Sequence, residues 1–190
     1  MFTVRDAAYA AAMSLATLGG AALSSSFAEM TVEVGGAPMY PSKNIIENAI
    51  KSMDHTTLLA ALKAADLVET LQGDEPFTVF APVNKAFEKL PKGTVETLLK
   101  PENKATLTAV LTYHVIPGKI SAADFVAAVK KGGGEATYKT VEGEELTVRQ
   151  DGRRLEIIGA KGAKSFVTIA DVNQKNGVIH VVDTVLMPKS

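Results

Sequence analysis

The run Phe77-Thr-Val-Phe-Ala-Pro82 has no polar face: Phe77, Val79 and Ala81 alternate with Thr78 and Phe80. Successive side chains of a strand point to opposite sides, so such a run predicts a strand covered on both faces, ended by Pro82. The rest of the chain must therefore supply two covering layers. One starts at once, because Asn84 is placed to cap a short helix whose Ala86, Phe87 and Leu90 fold back over the strand. A second run of this kind, Val178-Ile-His-Val-Val-Asp-Thr-Val-Leu-Met187, follows an Asn176-Gly177 turn and is also expected in the middle of the core.

The remaining segments divide by period. Ser42 is placed to cap a first helix that carries Ile45, Ile46, Ala49, Ile50 and Met53 on one face, and a second helix runs from Thr56 or Thr57 to Gly73. Gly93 to Tyr113 reads as two helices, with Pro101 in the first turn of the second. Ser121 and Asp124 have capping-box spacing for a helix that carries Phe125, Val126 and Val129 and stops at Gly132-Gly-Gly134. From Ala136 the period changes to two: residues 145–149 and 154–158 alternate around Asp151-Gly152 as a hairpin, and Ser165 to Val172 adds another strand. Helices precede strands without a strand–helix–strand repeat, so the expected fold class is α+β rather than a doubly wound sheet.

Residues 1–28 read as an export signal. Arg5 precedes the apolar stretch Ala7–Leu23, and Ser26-Phe27-Ala28 has the small-x-small pattern of a cleavage site. The expected location is therefore periplasmic or extracellular. Residues 29–42, with two glycines and two prolines, read as a flexible tether, and residues 43–188 as one domain. No later run is long enough to span a bilayer. The chain has no cysteine, so disulfides and thiolate chemistry are excluded and an exported domain has to rely on its core. A formal charge of −1 gives no general attraction to nucleic acid or anionic lipid.

Three stretches together resemble the fasciclin domain family: Thr78-Val-Phe-Ala-Pro-Val-Asn-Lys-Ala-Phe87, the pair Tyr113-His114, and Gly177-Val-Ile-His-Val-Val-Asp-Thr-Val-Leu-Met-Pro188. Val83 stands where the family often has Thr or Ser. The resemblance implies a wedge of about seven strands in two sheets, flanked by helices. It also implies an extracellular or periplasmic module for adhesion and matrix or surface contact, generally without enzymatic activity.

Tyr113 and His114 are the residues to which partner binding in that family is most often attributed. With Val115 and Ile116 they are the candidate partner contacts, presented beside the Pro117-Gly118 turn. The competing reading is structural, because the apolar flank suits a buried site; His114 would then hydrogen-bond within the core, to Asn84 or its loop. Thr78, Asn84, His114 and Asp183 form the polar part of the motif. An ionised Asp183 inside an apolar strand needs N–H or hydroxyl donors, and Thr184 and Thr78 are candidates.

No catalytic or cofactor site is expected. His180 and Asp183 fall on opposite faces of one strand. His55, His114 and His180 lack metal-ligand spacing, Glu142 to Glu145 reads as a solvated turn, and neither a GxSxG nor a phosphate-cradling loop occurs. Lys85, Lys89, Lys92, Lys100 and Lys104 alternate with Glu88, Glu96 and Glu102, which suits solvated helix faces and leaves room for a weak acidic-polysaccharide site. The expected function is a non-catalytic interaction module whose partner is a protein or polysaccharide at a cell surface or matrix. The alternative is a small-molecule or lipid binder with a pocket between helices and sheets, and a sizeable apolar cavity would distinguish it.

Overall fold

The computed structural model describes residues 30–189, so the export-signal reading of residues 1–28 lies outside it. In chain order the described residues form β1 (Val32–Val34), β2 (Ala37–Met39), α1 (Ile45–Ala49), α2 (Thr56–Ala64), α3 (Val68–Gln72), β3 (Phe77–Pro82), α4 (Asn84–Glu88) and α5 (Thr94–Leu98). They continue through α6 (Lys104–Tyr113), β4 (Val115–Pro117), α7 (Ala122–Lys131), β5 (Glu135–Lys139), β6 (Glu145–Asp151), β7 (Arg154–Ile158), β8 (Lys164–Gln174) and β9 (Gly177–Val182). Short 3₁₀ turns occupy Met53–His55 and Pro101–Asn103.

Seven strands run in the order β4-β3-β9-β8-β7-β6-β5. The two strands without a polar face, β3 and β9, are neighbours in the second and third places of that order, and every residue of both is buried. They pair in parallel, Phe77 opposite Gly177 and Phe80 opposite His180, whereas every other pairing is antiparallel. The 11-residue β8 carries register shifts on either side of Ile169, with Asp171 at φ 56°. These irregularities bend it, so β8 belongs both to a β4-β3-β9-β8 half and to a β8-β7-β6-β5 half of the wedge. The expected two-sheet architecture is therefore present, joined through one bulged strand.

The two faces of β3 serve two cores. Phe77, Val79 and Ala81 pack with Ile179 and Val181 against the helical layer, through residues such as Leu62, Phe87 and Leu111. Phe80 faces the other way, onto Phe125, Leu146, Ile157 and Leu186. Full burial of one such side chain is worth about 1.5–3 kcal/mol, so the strand is stabilised from both sides.

Four expectations are corrected. Residues 32–39, read as tether, form an antiparallel hairpin that buries Val34, Ala37 and Met39; Gly35 and Gly36, at φ 59° and 73°, supply the tight turn it needs. The strands are too short for alternation to outweigh the glycines in a sequence reading. Helix α1 is capped by Asn44 with Glu47 in a capping box, not by Ser42, and it stops at Ala49, which leaves Ile50 and Met53 exposed. The second helix is broken at Asp66, at φ 57°, into α2 and α3. β9 ends at Val182, so Asp183 lies beyond the strand rather than within it.

Candidate functional site

Helix α6 delivers Tyr113 and His114 to the junction with β4. Tyr113 is fully buried, and its hydroxyl donates to the Glu145 carbonyl at 2.9 Å while accepting the Ala160 N–H at 2.8 Å. It thereby ties the start of β6 to the turn between β7 and β8, and burial pushes its pKa up. His114 is 3% exposed. The Leu186 N–H donates to Nε2 at 3.0 Å, so the ring proton is on Nδ1, which donates to the Val110 carbonyl at 2.7 Å. Burial lowers the His114 pKa to about 4, so the ring is neutral under ordinary conditions.

Val115 and Ile116 are buried as well, so all four candidate contact residues lie in the interior. Their burial, which the structural reading expected, has a simple cause: the apolar neighbours that make β4 a core strand carry the preceding Tyr-His pair inward with them. His114 also does not meet Asn84, since both of its ring nitrogens are satisfied elsewhere.

The other motif side chains are likewise spent on the scaffold. The Thr78 hydroxyl donates to the Gly118 carbonyl at 2.7 Å and accepts from the Ile120 N–H at 2.9 Å. Asn84 is the first residue of α4 and not its cap. It accepts from the Thr57 N–H at 3.0 Å and the Thr56 hydroxyl at 3.2 Å, and donates to the Met53 carbonyl at 2.9 Å, so it fastens the start of α2 to α4. Asn84→Ala is expected to cost about 1–2 kcal/mol, because water replaces only part of this partly exposed set. Thermal unfolding reads the cost, and an unchanged melting temperature would remove Asn84 from the scaffold.

Asp183 accepts from the Phe166 N–H at 2.9 Å and the Thr184 hydroxyl at 3.0 Å, with Lys89 at 3.6 Å. Partial burial pushes its carboxyl up, but these donors and the ammonium outweigh it, and the pKa lies below the usual carboxylate range. Thr184 is the partner expected; Thr78 is not. His180 accepts from the Asp171 N–H through Nδ1 at 3.3 Å, so its Nε2–H donates to the Ile120 carbonyl at 3.0 Å. Its ring packs on Phe80 and Phe125, and burial lowers its pKa.

Two further polar groups do comparable work without a sequence signal. Asn176, which reads only as a turn residue, accepts from the Ile45 N–H at 3.1 Å and donates to the Leu71 and Gly73 carbonyls at 2.8 Å each. It staples α1 and α3 to the start of β9. His55 takes a 2.8 Å bond between Nδ1 and the Ser52 hydroxyl, while its Nε2 has no hydrogen-bond partner. Burial lowers its pKa, and the nearby Ala81 carbonyl offsets part of that.

A narrow apolar void of about 30 Å³ lies between the helical layer and the sheet, lined by Val34, Ile45, His55, Leu62, Val79 and His114 among others. Among the described residues, no cluster of three or more His, Cys, Asp or Glu side chains is placed to hold a metal ion. No helix among them is long and apolar enough to cross a membrane. On the basic helices, Lys89 pairs with Asp183 and Lys104 with Asp66.

Two sheets sharing one bulged strand, helices packed against both of their cores, and a motif whose polar side chains are consumed internally define a fasciclin-type domain. The family model described as "Fasciclin domain" matches residues 53–188, and the chain belongs to this family. It is 47% identical over 161 residues to "Protein sll1483" of Synechocystis sp., covering 84% of this chain and 82% of that protein. It is 36% identical over 142 residues to the cell surface glycolipoprotein MPB83 of Mycobacterium bovis, covering 70% of this chain and 55% of that protein. The fold is shared with a FAS1 domain pair from the insect cell adhesion molecule Fasciclin I, with a TM-score of 0.69 and 19% identity over 84% of this chain. This chain spans 58% of that pair. Fasciclin domains thus occur in adhesion and cell-surface proteins.

Proposed function

We propose that this protein is an exported, non-catalytic interaction module that attaches to a protein or polysaccharide at a cell surface or matrix. The observation that carries the reading is the use of Thr78, Asn84, Tyr113, His114, His180 and Asp183 in internal hydrogen bonds. A motif spent on rigidity suits a body that presents its loops and helix faces to a partner. Family membership supports the same reading, since the relatives include a cell surface glycolipoprotein and a neighbour in fold is a cell adhesion molecule.

The competing reading, carriage of a small molecule or lipid, finds less support. Ligand pockets typically hold about 300–1,000 Å³ and bury most of their ligand, whereas the apolar void under the helical layer is about 30 Å³ and the larger depression of about 450 Å³ between α7 and β7–β8 is open to solvent and lined in part by Arg153 and Arg154. The test is retention of the purified protein on immobilised envelope and extracellular-matrix fractions and on acidic polysaccharide. Saturable retention by a surface fraction is expected. Retention on the polysaccharide that falls steeply with modest salt would name the lysine-bearing helices as the contact. No retention on any fraction, together with a small molecule copurifying by mass spectrometry, would overturn the reading in favour of ligand carriage.

A further inference from the structure

The sheet has an open edge at β5. Thr140 N–H bonds the Glu144 carbonyl at 3.0 Å, and the register with β6 places Glu135 opposite Arg149, Thr137 opposite Thr147 and Lys139 opposite Glu145. Backbone groups of an antiparallel strand alternate in direction, so even-numbered residues of β5 face β6 and odd-numbered ones face outward. The next odd residue agrees, because the Val141 N–H reaches out of the strand to the Val115 carbonyl at 2.8 Å. That bond brings β4 and β5 together at one point and leaves the rest of the β5 edge open. Among the described residues no hydrogen bond engages the outward backbone groups of Thr137 or Lys139, and both residues are exposed.

We propose that β5 pairs antiparallel with β5 of a second copy of this chain, about a two-fold axis at Thr137. In this register the Thr137 pair closes through its backbone and the charges pair at both ends through side chains, while the Glu135 carbonyl, crowded by the Gly132 turn, takes no ladder bond. Thr137 then exchanges two backbone bonds with its own symmetry mate, and Glu135 stands opposite Lys139 of the second copy at both ends, on the shared outer face. Arg149 already holds the Glu135 carboxylate, at 2.6 Å, so the acid is fixed in position to receive the second cation.

Other registers fail for stated reasons. A two-fold at Glu135 would set like charges against each other at a carbonyl crowded by the Gly132 turn, where even an added Cβ would lie 2.1 Å from it. A two-fold at Lys139 would need the Val141 N–H that Val115 already accepts. A two-fold at Tyr138 would set Thr137 opposite Lys139 and leave Glu135 without a cation from the second copy, and pairing an odd residue with an even one would oppose backbone groups that point into the β6 ladder. The contact does not depend on which surface partner the protein attaches to, and its small size makes it weak.

Sedimentation velocity of the purified protein over a concentration series tests it. Reversible dimerisation is expected with a dissociation constant on the order of 0.1–1 mM, weakening with salt. Thr137→Pro removes an outward N–H without touching the β6 ladder, so it should abolish dimerisation with little change in melting temperature. Glu135→Lys and Lys139→Glu should each weaken self-association about tenfold by opposing like charges. An equimolar mixture of these two variants should recover it, because every cross-pair is then complementary again. A concentration-independent monomer up to the millimolar range, a dimer indifferent to Thr137→Pro, or a mixture no more associated than its components would each overturn the proposal. Circular dichroism confirms that the variants compared are folded, and the charge-reversal pair decides the matter if the proline variant is not.

Discussion

Gly177→Ala is expected to destabilise the domain by about 3–5 kcal/mol, a large fraction of the stability of a single domain. Gly177 opens β9 at φ 157°, directly opposite Phe77 of β3. An added Cβ would lie 2.0 Å from the Phe77 carbonyl oxygen and 3.0 Å from its carbonyl carbon. Those are backbone atoms of the neighbouring strand, so no side chain can swing away to make room. Relief requires prising apart β3 and β9 at the end where Asn176 also anchors α1 and α3. Gly152→Ala is the comparison: its φ of 60° lies in the left-handed region that Asp66 and Asp171 also adopt, and nothing lies within 4 Å of an added Cβ. Its cost should be only the conformational one, on the order of 1–2 kcal/mol. Urea titrations of the two variants compare a crowded, glycine-only position with an open left-handed one, and equal costs would show that neither the close approach of β3 and β9 nor the conformation at Gly177 matters.

His114→Ala is expected to cost a similar amount, about 3–5 kcal/mol, by leaving the Val110 carbonyl and the Leu186 N–H buried without partners and opening a void beside them. The histidine also carries a pH dependence whose sign follows from its depressed pKa. Above about pH 6.5 it is neutral in both the folded and unfolded chain and contributes no dependence. As the pH falls toward its folded value of about 4, the unfolded chain takes up a proton that the folded one refuses, and stability is lost. The loss from this group approaches about 3 kcal/mol by the lower limit, and His55 and His180, shifted the same way, add to it. Denaturation midpoints measured from pH 7 to 4 check this, and His114→Ala should flatten the slope. A variant with an unchanged melting temperature but no attachment to its surface partner would instead make His114 a contact residue.

Several elements were legible because their signals are local. The capping box at Ser121 and Asp124 is formed, and the hairpin at Asp151–Arg154 turns where Asp151-Gly152 predicted. The hairpin at residues 32–39 was not legible, because its short strands offer too few alternations against two glycines and a proline. The break at Asp66 was hidden for a related reason: an apolar face continues across it, while the chain reverses its backbone at one residue. Among the motif side chains, burial was anticipated for Tyr113 and His114 by their apolar flank, but their partners were not. Leu186 is 72 residues from His114, and Ile45 is 131 from Asn176.

The amino-acid order alone established an α+β chain with two interior strands, the turns and caps that bound its elements, and the family to which its signatures point. Periodicity, capping and turn chemistry act over a few neighbouring residues, so they are written where they operate. Tertiary structure alone decided that β3 and β9 lie side by side in parallel, that β8 bends to join two sheets, and which polar atoms meet across the core. Those outcomes depend on backbone hydrogen bonds and side-chain packing between distant segments, which arise only when the sheet assembles. The same assembly determines which edge it leaves unpaired.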